Sequence, residues 1–210
     1  MKRKSICQMS PPNYFIANSK PENKLLQLLK KLKKKYPELA VDWKKIYSLP
    51  FVVTIETKIR EFQYKLLNDI VFTNEKLFRF KMIDSPLCSF FKKDVESLEH
   101  LLFHCTFVES FWKTFTSWLT NQNITLETLT LVNILFGVYN ENEDNIILNH
   151  LILMAKFYIY KCKLNSTNPS LKVFIAKTKT VYQIERQIPT KHDKLLKHYE
   201  KWKKILPSIQ

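Results

Sequence analysis

Cys88, His100 and Cys105 are the residues of this chain whose types and spacing could do chemistry. They stand as Cys88-x11-His100-x4-Cys105, with His104 just ahead of the second cysteine. Thiolate sulfur and imidazole nitrogen are the donors of structural zinc sites, which hold four ligands tetrahedrally and close a loop that has little core of its own. With His104 as the fourth ligand, the set would be complete. His100 and His104 face the same way on a helix. His104 and Cys105 are neighbours, so both could ligate only if the helix breaks there. The same residues also admit a packing role: free cysteine behaves as a small buried hydrophobe, and the histidines would then be core or surface groups. Spacing alone leaves both readings open.

The elements that must position these residues follow from capping and turn signals. Thr73 can cap a short helix from Asn74 to about Lys81, and Asp84-Ser85-Pro86 is a turn signal. A polar link, Lys92-Lys93-Asp94, follows Cys88, and Ser97 is placed to cap a short helix through His104. Thr106-Phe107-Val108-Glu109 reads as a capping box. It would open a helix through Leu119 that carries Phe111, Trp112, Phe115 and Trp118.

Upstream, Met1–Asn18 has Pro11 and Pro12 and no period, which predicts an irregular arm. Ser19-Lys20-Pro21-Glu22 starts a helix with Leu25, Leu28, Leu29 and Leu32 on one face, ended by Pro37. Trp43-Lys44-Lys45-Ile46-Tyr47 leads to Pro50, and a helix begins near Thr54 with Ile55, Ile59, Phe62 and Leu66 in register. Downstream, Thr125–Phe136 is apolar and helical, with Gly137 just past its end, where a left-handed cap is common. Asn142–Leu164 is a long helix, and Asn168-Pro169 starts another that Pro189 stops. Lys191–Leu206 is the last helix, with Leu195, Leu196, Tyr199 and Trp202 as its apolar face. The most apolar stretch, Ile146–Tyr160, contains His150 and Lys156 and is too short to span a bilayer, so it reads as a buried helix. The expectation is an all-α fold of seven or eight helices around a small zinc-knuckle-like loop. The regions are 1–48, a basic arm and helix; 49–120, the knuckle region; and 121–210, a helical part with a basic end.

Composition agrees. The 210 residues contain one glycine, Gly137, where average usage of about 7% would give roughly fifteen. Phosphate-cradling loops need several glycines, and tight hairpins favour Asn-Gly or Asp-Gly turns, so neither a nucleotide loop nor a β-meander is expected. The net charge is +15. Residues 1–48 carry +9, residues 49–155 carry −4, and residues 156–210 carry +10. Two basic ends around an acidic centre suit a polyanion partner, RNA or DNA, gripped without sequence preference. Lysine, a point charge poor at bidentate base reading, supplies nearly all of the excess. The lysines expected at phosphates are Lys30, Lys31, Lys34, Lys35, Lys191, Lys194, Lys201, Lys203 and Lys204, with Tyr36, Trp43 and Trp202 as stacking candidates. Four scattered cysteines and no signal-peptide pattern point to reduced thiols in the nucleus or cytoplasm, without membrane or secretion.

A family pattern emerges from the ordered motifs. Trp43-Lys44-Lys45-Ile46-Tyr47, Leu49-Pro50-Phe51, Glu56-Thr57-Lys58-Ile59-Arg60-Glu61-Phe62-Gln63 and Thr73-Asn74 come first. Asp84-Ser85-Pro86-Leu87-Cys88, the run from Glu96 to Cys105, and Phe111-Trp112 follow. Together these resemble the zinc-binding region that follows the polymerase in reverse transcriptases of non-LTR (LINE-type) retrotransposons, most closely over Val41–Leu119. The resemblance implies the ligand pattern C-x2-C, then H-x4-C. Cys88, His100 and Cys105 fit it, but the second cysteine falls at Phe91, which cannot bind zinc. Either His104 substitutes, water fills the gap, or the site has decayed.

No enzyme is expected. The paired aspartates that hold two metal ions in a polymerase are absent, and Glu143-Asp144 reads as a helix cap. Two alternatives stand beside a nucleic-acid-binding accessory segment. One is a truncated retroelement remnant with a helical core and no activity. The other is a protein-interaction module on Phe107–Leu119, which needs Trp112 or Trp118 exposed.

Overall fold

The computed structural model describes residues 34, 42–139, 145–187 and 192–209, with residues 192–194 described by backbone alone. The chain divides into two compact units, Met1–Ala40 and Val41–Gln210. In the first, Lys34 alone is described; it is helical and exposed. The irregular arm and the rest of the expected leucine-faced helix lie outside the described residues.

The second unit is all-α among its described residues, as the composition implies. Nine α-helices and one π-turn follow in order. They are α1 (Trp43–Val53), α2 (Thr57–Leu67), α3 (Asn74–Arg79), the π-turn (His100–His104), α4 (Thr106–Asn121), α5 (Leu131–Phe136), α6 (Asn145–Leu164), α7 (Leu171–Gln187), α8 (His192–Trp202) and α9 (Leu206–Ile209).

Helix α6 is the axis of the unit. It packs against α1, α2, the π-turn, α5, α7 and α8. Its side chains are buried almost all the way round, from Ile147 through Ala155, which is the pattern of a core helix rather than an amphipathic surface one. An aromatic layer lies beside it: Phe111, Phe115 and Trp118 of α4 meet Phe174 of α7 and Tyr158 of α6. Trp112 and Trp118 are buried in this layer, so the aromatic stripe of α4 is core and offers no exposed docking face.

Several local expectations change. α1 runs through Pro50, capped by the Asp42 carboxylate, which accepts from the backbone N–H groups of Lys44 and Lys45. Proline removes one internal hydrogen bond, but Ile46, Leu49, Pro50 and Val53 bury one face. That burial holds the helix past the break that Pro50 suggests in sequence. Ile55 falls between α1 and α2 and is exposed. The Thr106–Glu109 capping box does not form: Thr106 is already the first helical residue, Cys105 is the cap, and Glu109 pairs with Lys113 instead. Only Leu131–Phe136 of the Thr125–Phe136 stretch is helical, with a capping box at Thr130. Gly137 does end it, at φ +102°. A Cβ there would lie 2.5 Å from Leu49 Cδ2. The last helix splits into α8 and α9. In α8 Leu195, Leu196 and Tyr199 are exposed, and Trp202 alone of the expected face is buried.

Trp202 ends in a buried polar knot. Glu185 Oε2 accepts from Trp202 Nε1 at 3.0 Å and from Lys201 Nζ at 2.8 Å, and Lys201 also donates to Val53 O. This knot ties α8 to α7 and to the end of α1. His150 sits edge-on to Trp202, fully buried. Burial, with the nearby Lys201 and His198, pushes its pKa well below 6.5, so it is neutral in the fold. The unfolded chain therefore takes up a proton, as pH falls through 6.5, that the folded chain refuses, and stability falls with it. Urea unfolding at pH 7.5, 6.5 and 5.5 should show His150 adding a loss approaching about 1.4 kcal/mol per pH unit below pH 6. His150→Leu should have a shallower pH slope by that amount.

Candidate metal centre

The loop that presents Cys88 is built by backbone closure. Cys88 N–H donates to Asp94 O, and Glu96 N–H donates to Pro86 O, which pinch the segment at an isolated antiparallel bridge between Leu87 and Val95. Inside the pinch, Lys92 N–H donates to Cys88 O, with Lys92 in the left-handed region at φ 59°. Phe90 N–H points at Cys88 Sγ, 3.4 Å away.

Glu96 locks this loop to the body. Its Oε2 accepts from Ser89 N–H at 2.7 Å, and its Oε1 accepts from Asn74 N–H at 3.0 Å and faces Lys163 Nζ at 3.1 Å. Asn74 is the first residue of α3, and its side chain donates to Leu87 O and accepts from Lys163. A carboxylate at a helix N-terminus is favoured by the helix dipole, and here it is fully buried beside a largely buried cation. Neither Glu96 nor Lys163 stands out by type or spacing. The hydrophobic run of α6 hides Lys163 at its polar end.

The second half of the site comes from the π-turn. Residues five apart in an α-helix point about 140° away from each other. Cys105 N–H donates to His100 O, the i-to-i+5 closure of a π-turn, and this wider turn brings His100 and Cys105 round to one side. Ser97 Oγ caps the entry by accepting from His100 N–H, as the sequence suggests. Trp112 Nε1 donates to Leu102 O at 2.8 Å and braces the turn against α4.

The result is a buried cluster. The donor atoms of Cys88, His100 and Cys105 all lie within 4.8 Å of one another, and the two sulfurs are 3.6 Å apart. Tetrahedral zinc with bonds of about 2.3 Å holds two sulfurs roughly 3.8 Å apart. His100 Nε2 is buried without a hydrogen-bond partner, which fits a lone pair kept for a metal. The two sulfurs are in hydrogen-bond contact. Hydrogen bonding from Cys105, with the backbone N–H groups of Phe91 and Phe90, pulls Cys88 down to about 5 against its burial, while the same contact and burial push Cys105 up. Two cysteine sulfurs and an imidazole nitrogen gathered within 4.8 Å are a fitting donor set for zinc.

Other expected site residues fall outside this cluster. His104, expected as a fourth ligand, is exposed and lies edge-on to Phe103; the π-turn that carries His100 inward carries its neighbour outward. Phe91 packs near Phe107, with Lys93 over its ring. Its backbone still donates toward Cys88, so the turn survives the lost ligand. Of the lysines expected at phosphates, Lys201 turns inward to Glu185, because burying Trp202 brings its neighbour along. Lys203 is exposed and pairs with Glu200, and Lys204 donates to Asn123 O. Lys30, Lys31, Lys35, Lys191 and Tyr36 lie outside the described residues, as does the side chain of Lys194. Trp43 packs edge-on to Phe136 and Trp202 is fully buried, so Trp202 presents no face for a base.

An all-α body holding a buried Cys–His–Cys set on a pinched loop and a broken helix defines a zinc-knuckle type of site. Residues 27–112 match the family described as zinc-binding in reverse transcriptase. No curated protein matches the chain. No helix among the described residues is long and apolar enough to cross a membrane.

Two outcomes test the site. Glu96→Ala leaves Lys163 buried without its carboxylate and should destabilise the fold by about 3–5 kcal/mol, measured by urea unfolding. Titration with Co²⁺ under reducing conditions should give thiolate charge-transfer absorption that Cys88→Ser abolishes. Phe91→Cys, by completing the ligand set, should tighten Co²⁺ binding at least about tenfold, a change no smaller than that of an outer-shell partner.

Proposed function

We propose that this chain is a non-catalytic, nucleic-acid-binding accessory segment derived from the reverse transcriptase of a non-LTR (LINE-type) retrotransposon. The observation that carries this reading is a coincidence of place. The stretch matching the reverse transcriptase zinc-binding family contains the buried Cys88–His100–Cys105 cluster, and in the sequence the basic ends of the chain lie on either side of that cluster. Its partner is RNA or DNA, held through phosphates without sequence preference. Contact falls to exposed lysines such as Lys34 and to the lysine runs of residues 30–35 and 191–204, apart from Lys201, which turns inward to Glu185. Zinc, when bound, is held by Cys88, His100 and Cys105, with the fourth position left to water because Phe91 offers no donor. Its role there is to tie the knuckle loop to the π-turn, which is structural work and not catalysis. The sequence has no pair of adjacent aspartates of the kind polymerase chemistry uses, and the reading assigns none of the chain's acids to such a role.

Phe91 also favours a second reading, a retroelement remnant with a helical core and no activity. Binding to labelled RNA across salt concentrations separates the two. The accessory reading expects a dissociation constant of about 10⁻⁴–10⁻⁶ M at physiological salt, with log K falling linearly in log salt at a slope of about −0.7 for each phosphate neutralised on a single strand. Absence of binding at low salt selects the remnant.

A further inference from the structure

We propose that the exposed run Phe78-Arg79-Phe80-Lys81-Met82 is a stacking platform for single-stranded nucleic acid, distinct from the lysine-rich ends. The proposal rests on the nucleic-acid reading above and names where, and to which form of the polymer, the segment binds.

The run alternates apolar and cationic side chains, and every member is exposed. Phe78 is 46% exposed, Phe80 45% and Met82 60%. This exposure does not come from a loose loop. Phe80 N–H donates to Lys76 O, Lys81 N–H to Phe78 O and Met82 N–H to Leu77 O. These bonds form a Schellman closure at the end of α3, with Lys81 at φ 57° in the position that glycine usually fills. The other end of α3 is held by Thr73 and by the Glu96 carboxylate. The rings are therefore carried on a fully bonded turn anchored to the knuckle loop.

Arg79 lies over the Phe80 ring at 5.4 Å, and among the described residues no acid pairs with Arg79 or Lys81. By contrast Lys65, Lys76, Lys113, Lys163, Lys201 and Lys203 each pair with a carboxylate. Neighbouring exposed apolar side chains rimmed by cations have the make-up of an interaction surface. Unpaired bases offer flat faces for the two phenylalanines, and the intervening phosphates offer charge for Arg79 and Lys81. Aromatic rings interleaved with cations are how sequence-tolerant single-strand grooves work. Duplex bases are already stacked on each other and have no free face to give, so the platform selects single strands.

The test uses the full chain, with fluorescein-labelled oligouridylate and a blunt RNA duplex of equal length, followed by anisotropy at low salt. The single strand should bind more tightly than the duplex. Phe78→Ala/Phe80→Ala should weaken single-strand binding at least about tenfold and leave duplex binding and the salt slope unchanged. Arg79→Gln/Lys81→Gln should instead lower the salt slope by about 1.4. Unchanged single-strand affinity in the phenylalanine variant, or an equal loss on both polymers, overturns the platform and leaves the nucleic-acid reading standing. Failure of the wild-type chain to bind either polymer overturns both. If the variant loses its helical circular dichroism, photocrosslinking of the wild-type chain to bromouridine RNA decides. Adducts mapped to residues 78–82 support the platform, and adducts confined elsewhere overturn it.

Discussion

The carboxylate of Glu96 is the constraint on which the candidate site depends. Three groups from three parts of the chain converge on it: the backbone of Ser89 in the knuckle loop, the first N–H of α3, and the ammonium of Lys163 on α6. A buried ion pair adds little net stability over a well-packed apolar pair, yet a lone survivor is very unfavourable. Its value here is positional. The hydrogen bond to Ser89 holds the residue that follows Cys88, so the cysteine's place relative to the π-turn is set by the protein itself. This explains how the loop keeps its turn although Phe91 supplies no ligand. A knuckle whose loop relied on metal alone would have no such anchor.

The π-turn is the complementary device. It sits between the Ser97 cap and α4, braced by Trp112. Widening the helix by one residue faces His100 and Cys105 together and turns His104 out to solvent. Single π-turns often mark functional positions. In this chain the distortion has a direct structural effect, because a regular α-helix would separate the two ligands. Phe111 and Phe115, on the helix that follows, continue into the aromatic layer with Phe174, so the candidate site and the core share one wall.

Net charge is a poor map of the surface. The last third of the sequence carries much of the excess, yet Lys156, Lys163 and Lys201 all turn inward. Lys156 donates to the terminal carbonyls of α5, at Ile134 and Leu135, and burial lowers its pKa well below 10.5. These cations hold helices together and contribute little to attracting a polyanion. Among the described residues, cations without an acid partner lie elsewhere, and two of them, Arg79 and Lys81, stand in the mildly acidic centre beside exposed rings.

Much was legible in the sequence alone. The scarcity of glycine, the helical spacing of Ile59, Phe62 and Leu66, the cap at Thr73 and the left-handed stop at Gly137 all act within a few residues, so local stereochemistry specifies them. Cys88, His100 and Cys105 were visible by type and by their resemblance to a family pattern. What local signals could not decide were the features set by distant partners. Pro50 stays inside α1 because one face of that helix is buried. Thr106 loses its capping role because the π-turn ends at Cys105. Lys201 faces Glu185, and His104 faces water. Glu96 is unremarkable until α6 brings Lys163 to it from far along the chain. The sequence by itself determined an all-helical chain with three soft ligands. Only the tertiary structure decided which side chains met, because burial and long-range pairing, not neighbouring residues, set the direction of each one.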